Sequence, residues 1–599
     1  MGVCVKNIEK EILNELSLEK AFQHMEFLVN EIGERLAGTE KLKQAAEYIR
    51  KELELYGLEA KIDKFYIYHS YPKDAELRVL YPETRVIEAK PCCHIASTLP
   101  EGIKGELIYV GAGGYQDYIG KDVKGKIVLV DMTWDPPRPE KARIAFEKGA
   151  KAMIIMNWGS KDNPVIQMGA VKSVWGNPTP ETFRKIPQIT VISITRAAGE
   201  YLKSFCLKGK VIVWLRAEAT REWVEANQPI GILKGREKPE EFVLVGGHLE
   251  AWGKTAICNS SGNALTLELA RVFAKHKDKL KRSIIFAFWD GHEIAEAAGS
   301  TWFVDTYWDK MRGRCIAYVN IDNPGILGTS VPLIRGVTEI KDFLEDIVEE
   351  IWGKSEWRDA YKGGDESFFG IGIPYISFYT GYTPEKLREL NWASLSPWLH
   401  SEADTIDKID KDLFSKHMIF YASLIFRLCN ALVIPYNFTL VADKLIKDLK
   451  ELNILEGKLS LTDLIEKAEQ LKEVTEKLNE YRVKIEKLYE KSKNKGEIEE
   501  AADLLNRCLM RISYELSPIL RSEAERYYQD PYGYTIAQKP IPRLYVSIRK
   551  ITELDKQSDE FKLWETKLIR EKNRVCDAIY NSIDYAELVL ALVEKKLSS

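Results

Sequence analysis

Three apolar runs, Phe242–Val245, Ile284–Trp289 and Cys315–Ile321, each stop at polar residues of the kind that hold metals. The first ends in Gly246-Gly247-His248-Leu249-Glu250, the second in Asp290-Gly291-His292-Glu293, and the third in Asp322. Short continuous apolar runs bounded in this way predict buried strands. Between the first two lies Cys258-Asn259-Ser260-Ser261-Gly262, then a run from Leu265 to Phe273 whose apolar positions recur at three and four, which predicts a helix. Strand, helix, strand of this length is a crossover unit, so the strands are expected to be parallel, with their carboxyl ends on one edge. Open α/β sheets place their sites on that edge.

The rest of the chain divides by changes of pattern. Residues 18–57 read as two amphipathic helices, with Ser17 as a cap and Leu28, Ile32 and Leu36 on one face. Alternation around Ile62–Tyr68 and Leu77–Leu80 predicts strands that start the main sheet. From about Glu101 to Ala217 the pattern turns to short strands with Gly and Pro punctuation, as in Gly105–Val110, Lys124–Val130 and Ala152–Asn157, with a helix over Glu140–Ala150. Beyond Pro435 it turns helical: Leu471, Leu478 and Ile485 are spaced by seven, as are Val474, Tyr481 and Leu488. Three heptads are too few for a long coiled coil and predict a bundle. Tyr527-Tyr528-Gln529-Asp530-Pro531-Tyr532-Gly533-Tyr534 interrupts it as a loop.

Composition narrows the class. With 599 residues, 45% hydrophobic and 29% charged, the chain is long enough for several cored domains. A net charge of −4 with intermixed signs argues against a nucleic-acid surface and for a small partner. No window reaches about 18 uninterrupted apolar residues, and Met1–Lys6 lacks the apolar core of a signal peptide, so neither a membrane span nor export is expected. Nine scattered cysteines make no disulfide framework, which places the protein in the reducing cytoplasm.

The candidate chemistry is metal binding, because zinc takes nitrogen, sulfur and oxygen donors converging from several segments. His248, Cys258, Glu293 and Asp322 qualify, and His400 follows in Trp398-Leu399-His400-Ser401-Glu402-Ala403-Asp404-Thr405. In this order they resemble the co-catalytic zinc exopeptidases that include bacterial aminopeptidases, glutamate carboxypeptidase and the non-enzymatic transferrin receptor. The resemblance covers roughly residues 18–435 and includes Glu34–Glu40, Ala45–Ile49, Leu55–Glu59 and Asp365–Pro374. It implies a zinc exopeptidase fold: a mixed, largely parallel sheet flanked by helices over 1–98 and 222–440, an inserted β-rich protease-associated domain at 99–221, and a C-terminal helical domain at 441–599. It also implies one or two zinc ions held by His248, Cys258, Glu293, Asp322 and His400, a small peptide or amide substrate, an insert that roofs the site, and a homodimer through the helical domain.

The departures from the family pattern fall in the chemistry. Cys258 stands at the bridging aspartate, His292 at the general-base glutamate and Glu250 at the aspartate that orients the first histidine. One residue is inserted between Glu293 and Gly299-Ser300. An imidazole near neutrality can accept a proton, so His292 is the expected base. A single thiolate donor favours an altered, mononuclear centre. Glu250 is expected to hold His248, and Asp404 to hold His400, as carboxylates behind the ligands. Arg335 is expected to meet a substrate carboxylate. Three readings follow: an exopeptidase of aminopeptidase or carboxypeptidase type, an inactive receptor-like binding or scaffold protein, and a hydrolase of non-peptide C–N bonds.

Overall fold

The computed structural model describes residues 3–456, 460–531 and 538–598. After the helix α1 (Leu18–Glu26), whose cap Ser17 accepts a hydrogen bond from the Lys20 amide, comes α2 (Glu40–Leu55), capped by Thr39. Leu28 and Ile32 continue the first helix, whereas Leu36 lies beyond its end at Gly33, although all three are buried.

Sixteen strands follow among the described residues. They are β1 (Glu59–His69), β2 (Pro72–Tyr81), β3 (Arg85–Ile87), β4 (Lys90–Pro91), β5 (Ile103–Tyr109), β6 (Ile127–Asp131), β7 (Ala152–Met156) and β8 (Thr190–Ile194). Then come β9 (Ile212–Ala219), β10 (Glu222–Leu233), β11 (Lys238–His248), β12 (Arg282–Trp289), β13 (Cys315–Asn320), β14 (Val331–Gly336), β15 (Glu356–Asp359) and β16 (Tyr375–Gly381). The main sheet has the order β1-β10-β12-β11-β13-β16-β14-β15. Its centre is parallel: β11 pairs with β12 and β13, and β13 with β16. The registers His248↔Trp289 and Gly246↔Asn320 bring the three ligand-bearing strand ends to one edge. The crossover helix α3 (Gly262–Lys275) is buried from Gly262 to Phe273, as a helix covering a sheet interior must be.

A second sheet, β3-β2-β9-β5-β6-β7-β8-β4, carries its own hydrophobic core. It corrects the expectation for Leu77–Leu80. That strand is β2, which pairs with β9 (Leu77↔Leu215) and not with the main sheet. The second sheet therefore draws in residues from 72 onward, and the boundary expected at 98/99 falls inside it. Period-two alternation identifies a half-buried strand but does not say which sheet buries it.

The C-terminal helices are α4 (Phe438–Glu456), α5 (Thr462–Lys491), α6 (Gly496–Arg521), α7 (Pro542–Glu553) and α8 (Asp559–Ser598). The heptad seam of α5 is spent within the chain, with Leu471, Leu478 and Ile485 buried in a core continuous with that of the main sheet. At the junction with the peptidase sheet, Gly372 adopts φ +74 and a Cβ there would lie 2.4 Å from the Tyr514 Cα, so only glycine permits this approach.

Four histidines outside the ligand-type cluster, His24, His69, His94 and His417, are buried. Burial holds His24 and His69 down at about 4 and His417 at about 3. Folded values below the unfolded one mean that these side chains contribute stability above pH about 6.5, which is lost as pH falls toward 4. The unfolding midpoint is expected to drop across that window, and to drop less in His417→Phe; identical acid sensitivity in the variant would refute the assignment.

Candidate metal centre

Each ligand-type side chain is placed by a strand end or a tight turn. His248, the last residue of β11, points its Nε2 at Cys258 Sγ (3.4 Å) and Asp322 Oδ1 (3.5 Å). Glu293 Oε1 lies 3.3 Å from Cys258 Sγ and 3.0 Å from His400 Nε2, and Cys258 Sγ lies 3.5 Å from His400 Nε2. The structure thus brings together all five residues, as two triads, His248/Cys258/Asp322 and Cys258/Glu293/His400. Asp322 Oδ1 is buried without a hydrogen bond, and no lysine or arginine pairs with Glu293 or Asp322 among the described residues. A buried set of imidazole, thiol and carboxylate donors with an orphaned oxygen fits a divalent cation.

The supporting groups differ from those expected. Glu250 does not touch His248 with its carboxylate. Its oxygens accept from the Ala37 amide (3.3 Å) and the Glu293 amide (2.8 Å), while its backbone carbonyl faces His248 Nδ1 (3.2 Å). The strand stops at His248, so the two-residue periodicity that would have put both side chains on one face no longer holds. Asp404 does not hold His400 either. It accepts from the amides of Ile257 (2.9 Å) and Cys258 (3.2 Å), fixing the turn that carries the sulfur, and burial raises it to about 7 against those donors. His400, at φ +54, is held by the inserted domain: its Nδ1 faces the Met168 carbonyl (3.2 Å), and its own carbonyl accepts from the Met168 amide (3.0 Å). The buried Arg35 guanidinium donates to Leu249 O (2.7 Å) and Ser260 Oγ (2.9 Å), tying the N-terminal segment to the Cys258 turn.

Because two buried amides depend on it, Glu250→Gln, which sets an NH2 group against one of those donors, is expected to cost about 1–3 kcal/mol. A thermal midpoint equal to that of the wild type would contradict this.

His292 stacks on His248, ring centroids 4.5 Å apart, and its Nδ1 meets Asp365 Oδ1 at 3.0 Å. Burial pulls this imidazole down, but Asp365, Glu293 and Asp322 outweigh it and carry it up to about 10. Glu293 is driven the other way: burial raises it, and His400, His248 and His292 bring it well below the usual carboxylate range. Burial and the carboxylates of Glu293 and Asp322 push the Cys258 thiol up.

Cys258, Glu293, Asp322 and His400 floor a cavity of about 360 Å³ walled by the inserted domain through Trp134, Pro137 and Arg138 and by the main sheet through Arg335 and Tyr379. Arg335, in β14, donates to the Tyr375 hydroxyl and lies over the Tyr361 ring (4.9 Å); its Nε is buried without a partner. Two groups escaped the sequence reading. Asp365 was legible only as part of the Asp365–Pro374 segment, and Glu296, a buried cavity-lining carboxylate at φ +47, is signalled only by the extra residue before Gly299. Of the tyrosine-rich loop, Tyr527 packs on Trp308, Gln529 Nε2 donates to Ser367 O and Arg526 to Gly370 O, bracing the segment that bears Asp365. Tyr532 and Tyr534 lie outside the described residues.

A parallel α/β sheet with five such donors at one edge, roofed by a second β domain, is the architecture of a zinc exopeptidase. Residues 229–425 match Peptidase family M28 and residues 103–202 match the PA domain. The segment that carries the cluster is thus similar to Peptidase family M28, and the segment inserted before it to a PA domain. It is 24% identical over 504 residues to a probable glutamate carboxypeptidase, VP8, of Zea mays, covering 71% of this chain and 68% of that one. It is 26% identical over 317 residues to the aminopeptidase NAALADL1 of Rattus norvegicus, 46% of this chain and 42% of that one. Its fold matches an aminopeptidase from Aneurinibacillus sp. strain AM-1 with a TM-score of 0.53 at 22% identity, over 70% of this chain and 95% of that one.

Proposed function

We propose that the protein is a zinc-dependent exopeptidase acting on a small peptide or amide, with His248, Cys258, Glu293, Asp322 and His400 as the metal-holding residues. The observation that carries this is the convergence of all five donors, at 3.0–3.5 Å along the two triads, with Cys258, Glu293, Asp322 and His400 lining a cavity and His248 behind them. Zinc held there supplies Lewis acidity toward a scissile carbonyl. His292 is the proton carrier: Asp365 fixes Nδ1, leaving Nε2 to take a proton from the attacking water and pass it to the leaving nitrogen. Neutralising Glu293 and Asp322 removes two of the carboxylates that hold His292 up, which brings it toward neutrality.

Arg335 favours a substrate with a carboxylate near the scissile bond, as in an N-acyl amino acid or a peptide cut at its C-terminal end. Its guanidinium donates to the Tyr375 hydroxyl and the Gly363 carbonyl rather than to a carboxylate, its Nε is buried without a partner, and a cation so placed at a cavity wall is a binding group for an anion. Arg335→Gln is expected to raise KM about tenfold or more for carboxylate substrates and to leave their amides unaffected. Equal effects on both would remove this preference.

The test of the main reading is elemental analysis of purified protein with hydrolysis of aminoacyl, dipeptide and N-acyl amino acid substrates before and after chelation. Metal-dependent turnover supports it. No bound metal and no turnover would replace it by a binding or scaffold protein of the same fold. We further propose a homodimer through α8, supported by its exposed Leu563, Ile569, Tyr580, Leu588 and Leu592, and a cytoplasmic setting, supported by the free state of the eight cysteines among the described residues. Light scattering on the eluted protein tests the dimer. No described helix is long and apolar enough to cross a membrane.

A further inference from the structure

We propose that Arg312, Arg511 and Arg526 form a binding site for a phosphate group at the junction between the main-sheet domain and the C-terminal helices. None of the three lines the cavity described above, and the inference stands independently of the metal reading.

The three side chains meet on one ring. Tyr514, in α6, is half-buried, and the guanidinium carbons of Arg526, Arg312 and Arg511 lie 3.8, 4.5 and 5.5 Å from its centroid. All three cations therefore fall within about 10 Å of one another, the distance over which 0.1 M salt screens exposed charges. They come from different parts of the chain. Arg312 follows the short helix Trp308–Met311 of the main-sheet domain, Arg511 precedes Tyr514 by one turn of α6, and Arg526 belongs to the segment after α6. The two parts interlock here: a Cβ on Gly370 would run into the Arg526 carbonyl oxygen, as one on Gly372 would into the Tyr514 backbone.

The charges are not balanced within the cluster. Arg511 pairs with Glu515 at 2.7 Å. Arg526 donates to the carbonyls of Gly370 (3.0 Å) and Tyr514 (2.8 Å) rather than to a carboxylate. Arg312 is exposed and lies against the ring. Burial pulls Arg526 below the usual arginine range against the opposing pull of Tyr514, Glu515 and Tyr527, and Arg312 adds to the downward shift. An aromatic ring attracts each cation but leaves their mutual repulsion in place. Glu515 offsets one of the three charges, which leaves two. A phosphate group brings up to two negative charges and three acceptor oxygens, and guanidinium forks match it in bidentate geometry. Bound there, it ties Arg312 of the main-sheet domain to Arg511 and Arg526 of the helical part.

The test is calorimetric titration of full-length protein with inorganic phosphate and with phenyl phosphate, at an ionic strength held constant with sodium chloride. Two or three charge-assisted contacts correspond to saturable binding with a Kd of about 1 mM or tighter. This binding step is expected to persist in Arg335→Gln, where the cavity wall loses its cation, and to weaken about tenfold or more in Arg312→Gln. Arg312→Lys, with the charge restored, is expected to recover most of the affinity, which separates lost charge from lost packing on Tyr514. Tighter binding of phenyl phosphate than of inorganic phosphate would identify a monoester as the occupant, and the reverse the free ion. Titration curves for Arg312→Gln that match those of the wild type would overturn the proposal, as would a binding step lost from Arg335→Gln, which would place the anion in the cavity.

Discussion

Replacing His400 by alanine is expected to strip the second triad of its nitrogen donor, reduce bound metal by at least one ion per chain, and lower turnover about a thousandfold or more. The size follows from what is removed. Glu293 loses the foremost of the histidines that hold its carboxylate ionised and the only one at hydrogen-bond distance among those named, leaving it with His248 and His292 beside the buried Cys258. The inserted domain loses the imidazole that the Met168 carbonyl holds, but the paired Met168 amide to His400 carbonyl bond is backbone and survives. The variant should therefore keep its thermal midpoint in the presence of chelator, where metal contributes nothing to either protein. Metal content and turnover equal to those of the wild type would exclude His400 from the centre.

The second large effect is expected at Gly247, one residue before the first histidine. A Cβ there would lie 2.3 Å from the Ile321 carbonyl oxygen and 2.9 Å from Asn259 Nδ2. Neither can yield cheaply. Ile321 belongs to the backbone leaving β13 toward Asp322, with its amide bonded to the Gly246 carbonyl at 2.7 Å, and the Asn259 amide nitrogen itself donates to Ile321 O at 3.0 Å. Gly247→Ala must part β11 from β13 at the edge where His248 and Asp322 meet. The expected cost is about 2–3 kcal/mol of stability, together with weaker metal retention. Gly496→Ala, at the start of α6 where a Cβ meets nothing within 4 Å, is the control and is expected to be neutral or slightly stabilising. Equal midpoints for the two variants would show that the strands separate more easily than this packing implies.

The strand ends were legible because they combine two signals that agree: an apolar run long enough to be a buried strand, and a ligand-type residue where the run stops. His248, Glu293 and Asp322 were all identified in this way, and Cys258 by its place in the turn before a periodic helix. What stands behind those residues was not legible. Glu250 and Asp404 were assigned to the histidines nearest them in sequence, but both carboxylates serve backbone amides, and amides look alike in every sequence. The partner of His400 is a carbonyl 232 residues away, which no side chain announces. The second sheet was recognisable by its punctuation, yet β2 was assigned to the wrong sheet because alternation reports burial without naming the neighbour.

The reciprocal bonds between Met168 and His400 also bear on how the centre is assembled as the chain is made. The inserted domain closes on itself through β2 and β9, so every strand it needs has been synthesised by Ala219, well before His400 emerges. Domains fold as units, earlier ones first, while synthesis continues. The last ligand therefore arrives at a surface already formed, with the carbonyl that receives its Nδ1 in place, and the late turn around His400 is shaped against a finished template.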